Sequence, residues 1–116
     1  MKFACDLDPD LPETVRVHLE WRAAFRMTRF LDVVRDMKVQ VRSPVTDPAI
    51  PRYECCVVVR LLDQDSDGIA VQESADDPKE AISVAIDRAA ASVSRQVQRR
   101  SRLADAGRRS VKLNEH

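Results

Sequence analysis

The sequence predicts a two-layer α+β domain, with a four-stranded sheet and two helices packed on one of its faces, in the order β-α-β-β-β-α. Three observations carry this. Two stretches repeat apolar residues at helical spacing and open on an acid next to a proline. Several short stretches alternate apolar and polar residues, as half-buried strands do. Turn-forming residues separate the alternating stretches. Amphipathic helices with a small sheet are stable when the helices cover one sheet face.

Taken in order, Lys2 to Cys5 is apolar-leaning and reads as a first strand. Asp10-Leu11-Pro12-Glu13 has the form of a helix start, with Asp10 as N-cap and Glu13 three residues on. The helix should run to about Val34, with Leu19, Ala23, Met27, Phe30, Leu31 and Val34 on its apolar face. Lys38 to Arg42 alternates, with Val39 and Val41 on one side. Ser43 to Pro51 carries Pro44, Pro48 and Pro51 and reads as an extended loop. Tyr53 to Leu62 is the clearest strand. Tyr53, Cys55, Val57, Val59 and Leu61 line one face, while Cys56, Val58 and Leu62 make the other apolar enough for a central position. Asp63 to Gly68 is a turn, and Ile69 to Glu73 pairs back with Ile69 and Val71 inward. Asp77-Pro78-Lys79-Glu80 opens the second helix, with Asp77 as N-cap and Pro78 at the first helical position. This helix should reach about Leu103, giving a domain over 1–103 and a flexible tail over 104–116.

The second helix has two contrasting faces. At about 100° per residue, Ile82, Ala85, Ile86, Ala89, Val93 and Val97 fall on one side. Arg88, Arg95, Arg99 and Arg102 fall on the other, within an arc of about 60°. Guanidinium groups stay charged and match phosphate geometry, so the stripe suits a polyanion; an ordinary solvated face would look similar. The first helix places Trp21 and Phe25 opposite its apolar face, beside His18, Arg22, Arg26 and Arg29. Aromatics among arginines can stack on bases while the cations hold phosphates. Burial of the two rings under the tail, a loop or a second subunit is the other reading, and a homodimer would follow from the last.

The chain has 116 residues, enough for one domain with a small core. Its formal net charge is zero, which excludes a globally cationic surface. A polyanion would have to be met by a local patch. The charges are segregated accordingly: acids crowd Asp6 to Glu13, Asp63 to Asp67 and Glu73 to Glu80, whereas Arg88 to Arg109 contains only Asp105. Three cysteines, Cys5, Cys55 and Cys56, form no disulfide framework, and adjacent Cys55 and Cys56 point to opposite strand faces. No apolar run resembles a signal peptide or reaches membrane-spanning length, so a cytoplasmic protein is expected, with no membrane partner.

Enzyme chemistry finds little support. His18 and His116 are the only histidines, and Gly68 and Gly107 the only glycines, too few for a phosphate-binding loop. No cofactor, small-molecule substrate or metal site is expected. Asp63-Gln64-Asp65-Ser66-Asp67-Gly68 copies the opening of an EF-hand loop, but the twelfth position is Ser74 and the flanks are strands. It reads as a solvated hairpin turn; weak calcium binding there stays open.

Five short motifs follow one another along the chain: Arg29-Phe30-Leu31-Asp32, Val39-Gln40-Val41, Tyr53-Glu54, Ala85-Ile86-Asp87 and Arg95-Gln96-Val97. These residues and their order resemble the ribosome hibernation promoting factor family, also called ribosome-associated inhibitor A or sigma-54 modulation proteins. Arg29-Phe30-Leu31-Asp32 followed by Val39-Gln40-Val41 is similar to the family's "RFxD" helix end and second strand. Tyr53-Glu54 opens a valine-rich strand as in the family. Ala85-Ile86-Asp87 is similar to its "AID", and Arg95-Gln96-Val97 to its "RQL", with Arg99 at a basic position. Val111-Lys112 and Glu115 resemble the tail of short members. The resemblance covers about Leu11 to Arg102. It implies a β-α-β-β-β-α fold like that of double-stranded-RNA-binding domains. It also implies a short single-domain factor that binds ribosomal RNA of the small subunit in the mRNA/tRNA channel and silences translation. By matching position, Arg95 and Arg99 are its RNA-binding candidates; Arg88, Arg102, Arg22, Arg26 and Arg29 follow from helical geometry. Two positions depart: the family's lysine after "AID" is Ser92, and its tyrosine before it is Ser83. The alternative expectation is a small cytoplasmic protein-interaction module using Trp21 and Phe25.

Overall fold

A computed structural model of the chain describes residues 1–43, 49, 52–62 and 68–114, with side chains through residue 99. Its elements are β1 (Lys2–Leu7), α1 (Glu13–Met27), a 3-10 turn (Thr28–Phe30), β2 (Val34–Arg42), β3 (Tyr53–Leu61), β4 (Ile69–Ala75) and α2 (Pro78–Asn114). The strands lie in the order β1-β2-β3-β4. β1 runs parallel to β2, and the other neighbours are antiparallel. The fold is the α+β architecture that the sequence predicts.

The registers explain the core. Cys5 stands opposite Val39, Val39 opposite Val57, and Val57 opposite Val71, so one row crosses all four strands on the helix-facing side. Val39 and Val57 are fully buried there, beside Val41, Cys55, Val59 and Leu61. From above, α1 contributes Val15, Leu19, Ala23 and Met27, and α2 contributes Ala81, Ile82, Ala85, Ile86, Ala89, Ala90 and Val93. Alternation at period 2 from the sheet thus meets helical spacing from the other layer. α2 lies over β3 and β4, with α1 beside it.

The first helix departs from the sequence reading at both ends. Its N-cap is Pro12, in extended conformation, with no side chain bonding the first turn. Asp10 instead donates its own N–H to Asp8 Oδ1 at 3.2 Å, closing a local turn that withdraws it from capping. The helix stops at Met27 rather than near Val34. Phe30 is buried from the 3-10 turn, Leu31 is 51% exposed, and Val34 begins β2. β2 therefore starts four residues before Lys38. A register shift between Val34 and Asp36 lets Val34 and Met37, three apart, both face inward. β1 likewise continues past Cys5 to Leu7.

At α2, Asp77 is the N-cap expected: its Oδ1 accepts the Lys79 N–H at 3.1 Å, and its carbonyl accepts the Ala81 N–H. The helix continues through Leu103 to Asn114, so no break in the backbone marks the boundary expected at residue 103. Residues 63–67 of the EF-hand-like stretch lie outside the described residues, as does most of the proline-containing segment 43–51.

Gly68 returns the chain into β4 with φ +89°. A Cβ there would lie 2.6 Å from the backbone oxygen of Val59, an atom that cannot swing aside. Gly68→Ala should therefore cost roughly 1 to 2 kcal/mol, readable as a lower midpoint in urea with an unchanged slope.

Cys55 is sealed in the core, and burial, reinforced by neighbouring Cys56, pushes its thiol pKa up to about 12. The unfolded chain would release that proton from about pH 9, where thiols ordinarily ionise. Between those values the unfolded state binds fewer protons, so stability should fall as pH rises above about 9. Below that pH this group should leave stability unchanged. A thermal-melt series against pH, compared with Cys55→Ala, checks both statements.

Candidate nucleic-acid interface

α1 and α2 lie parallel, and their seam is polar. His18 Nε2 and Ser83 Oγ are hydrogen bonded at 2.9 Å, and Arg22 Nη2 donates to Asp87 Oδ2 at 2.7 Å. Both pairs span 65 residues of sequence. Each residue of α1 is thus level with the residue 65 further on in α2. Arg26 Nε approaches Asp87 Oδ1 to 3.1 Å, an ion-pair distance without hydrogen-bond alignment. One carboxylate therefore holds two guanidinium groups. Arg22 Nε, Arg26 Nε and Asp87 Oδ1 are all closed to solvent without a hydrogen-bond partner, so charge attraction carries much of this contact.

The seven candidate arginines do not form one continuous surface. Arg22 and Arg26 are committed to Asp87. Arg88 is paired with Glu73 on β4. Arg95 donates to Ser92 Oγ at 3.0 Å within its own helix. Ser92 thus orients an arginine. Arg29 lies 4.8 Å over the ring of Phe30. Arg29, Arg95 and Arg99 are exposed and have no ion pair among the described residues. The side chain of Arg102 lies outside the described residues.

The offset of 65 sets the end of α1, Met27, level with residue 92 in the middle of α2, so Arg29 just past α1 comes near the level of Arg95, with Arg99 one turn further on. Glu13 and Glu80 occupy the first turns of their helices, with Asp77 capping α2. In α1 the acid of the first turn, Glu13, and the base of the last, Arg26, are in the arrangement that the helix dipole favours. The sequence showed the stripe but not the role of Asp87. That residue was legible only as part of a motif, because its partners are 65 and 61 positions away and on another element.

Trp21 and Phe25 are each 74% exposed, standing one turn apart on the outer ridge of α1. No described part of the chain covers them. With His18 and Arg22 they line an open depression of about 340 Å³. Among the described residues no group of His, Cys, Asp and Glu is placed to hold a metal. No helix there is long and apolar enough to cross a membrane.

These features define a small α+β domain that presents two parallel helices, with Arg29 exposed just past the end of α1 and Arg95 and Arg99 exposed midway along α2. Among solved structures, the fold is similar to the N-terminal domain of Protein Y from Thermus thermophilus, with TM-score 0.64 and 21% identity, over 82% of this chain and 98% of that one. It is also similar to a ribosomal subunit interface protein from Coxiella burnetii, with TM-score 0.66 and 13% identity, over 84% of this chain and 99% of that one. No protein-family model matches the chain, and neither does any curated protein sequence. The shared architecture is the one that the sequence resemblance implies.

Proposed function

We propose that this chain is a non-enzymatic, cytoplasmic ribosome-associated factor of the hibernation-promoting kind. It would bind ribosomal RNA of the small subunit in the mRNA/tRNA channel and silence translation. The observation that carries this reading is the placement of Arg29, Arg95 and Arg99, without ion pairs among the described residues, near where α1 ends beside α2, on a fold shared with Protein Y and with a protein named for the ribosomal subunit interface. Phosphate contacts would supply affinity, and the rigid two-helix layer would supply placement. Arg22, Arg26 and Arg88 take a lesser part, since their charge is already met by Asp87 and Glu73.

Co-sedimentation with purified small ribosomal subunits across a salt series tests the proposal. Three neutralised phosphates give a slope of about −2.7 in log affinity against log salt, or about 40-fold weaker binding for a fourfold rise in salt. Saturable binding with such a slope supports the reading. Absence of binding at low salt overturns it.

A further inference from the structure

We infer that Trp21 and Phe25 form a clamp for one unpaired nucleobase, an aromatic site beside the cluster of Arg22, Arg26 and Asp87. The inference rests on the RNA-binding reading above and adds to it the chemical group recognised by α1. The two rings are the most exposed large apolar side chains among the described residues. They are four residues apart on a helix that rises about 1.5 Å per residue, so their attachment points are about 6 Å apart along its axis. A base stacked between two rings needs two stacking steps of about 3.4 Å each. The spacing therefore suits one inserted base with little adjustment of the side chains.

The surroundings favour a nucleotide over an apolar protein side chain. The depression between the rings is closed on the α2 side by His18 and Arg22, with Arg26 and the carboxylate of Asp87 that holds both guanidiniums behind them. Two guanidinium groups against one carboxylate leave this cluster a net positive charge beside the path that the sugar-phosphate chain of a clamped base would take. Glu20 lies on the opposite flank of α1, while Glu13 shares a neighbouring hollow with Lys79, so the two charges there balance. The pair also offers little flat area. A stable protein interface buries about 800 Å² per partner, whereas this depression is open and lined by four side chains. Stacking tolerates any base, because every base has a π-face, so the clamp adds affinity for single-stranded positions without reading sequence.

Trp21 is the only tryptophan in the chain, so its fluorescence reports this site alone. The test titrates the full-length protein with a ten-nucleotide oligoadenylate at low salt. Quenching of Trp21 by half or more at saturation is expected. Trp21→Ala and Phe25→Ala should each weaken binding about 10-fold with the salt slope unchanged, and Trp21→Phe should stay within about threefold. The exposure of both rings keeps these variants folded, which melting curves verify. Unquenched Trp21, or wild-type affinity in both alanine variants, overturns the clamp while subunit co-sedimentation still stands. Failure to bind oligoadenylate also overturns it, since a base clamp needs nothing more than an accessible base. Trp21 emission that shifts with protein concentration alone, with a dimer in sedimentation that Trp21→Ala abolishes, assigns the rings to self-association and overturns it as well. Loss of subunit co-sedimentation by the wild-type chain is a separate failure, that of the RNA-binding reading itself.

Discussion

The double variant Arg95→Glu/Arg99→Glu should lose ribosome binding by at least about 100-fold while its melting temperature stays within 2 to 3 °C of wild type. Two cations become two anions on the stretch of α2 proposed to meet phosphates. Attraction is replaced by repulsion, and about two units of salt slope disappear with the lost contacts. Stability is spared because both residues are exposed and neither has an ion pair among the described residues; surface changes of this kind stay within about 0.5 kcal/mol. Reversing Arg22 and Arg26 would not give so clean a result, since both support the helix seam. Co-sedimentation and a thermal melt on one preparation suffice. Retained binding would remove this stretch of α2 from the interface.

The second large effect is on stability, and it centres on Asp87. Asp87→Ala leaves the guanidiniums of Arg22 and Arg26 side by side and half-buried, without the carboxylate between them. A fully buried pair broken in this way costs about 3 to 5 kcal/mol. All three side chains are about a third exposed, so solvent screens part of the loss, and alanine's better helix propensity returns about half a kcal/mol. A net cost of about 2 kcal/mol is expected, lowering the melting temperature by roughly 10 °C. Added salt should recover part of it, because the remaining term is repulsion between two cations. A melting temperature unchanged at low salt would show that the seam is held by apolar contacts alone.

Much of the architecture is legible in the sequence, and the exceptions have physical causes. β3 is clear because its alternation persists for nine residues with apolar groups on both faces. The start of α2 is clear because Asp77 and Pro78 each fit only one position of a helix N-terminus. The end of α1 is not. Met27, Phe30, Leu31 and Val34 keep helical spacing through a 3-10 turn and into a strand, and the shift after Val34 breaks the alternation that would have announced β2. In the candidate site, single-helix geometry gives the arginine stripe and the exposed aromatic pair. It cannot give the pairing of Arg22 and Arg26 with Asp87, or of Arg88 with Glu73, because those depend on how separate elements are set against each other. The sequence thus shows which cations exist, and the packing decides which remain available.

The segregation of acid to the first turns of the two helices, and of arginines without ion pairs among the described residues to the level where α1 ends, has a kinetic consequence. A molecule with no net charge feels little pull towards a polyanion from afar, so its encounter rate gains nothing from a long-range monopole. Its charge separation instead acts as a torque at close range, turning the arginines forward before contact. Arrival would be ordinary in speed but biased in orientation. The same neutrality limits retention on polyanions that offer no fitting surface, which leaves the protein free to search many of them quickly.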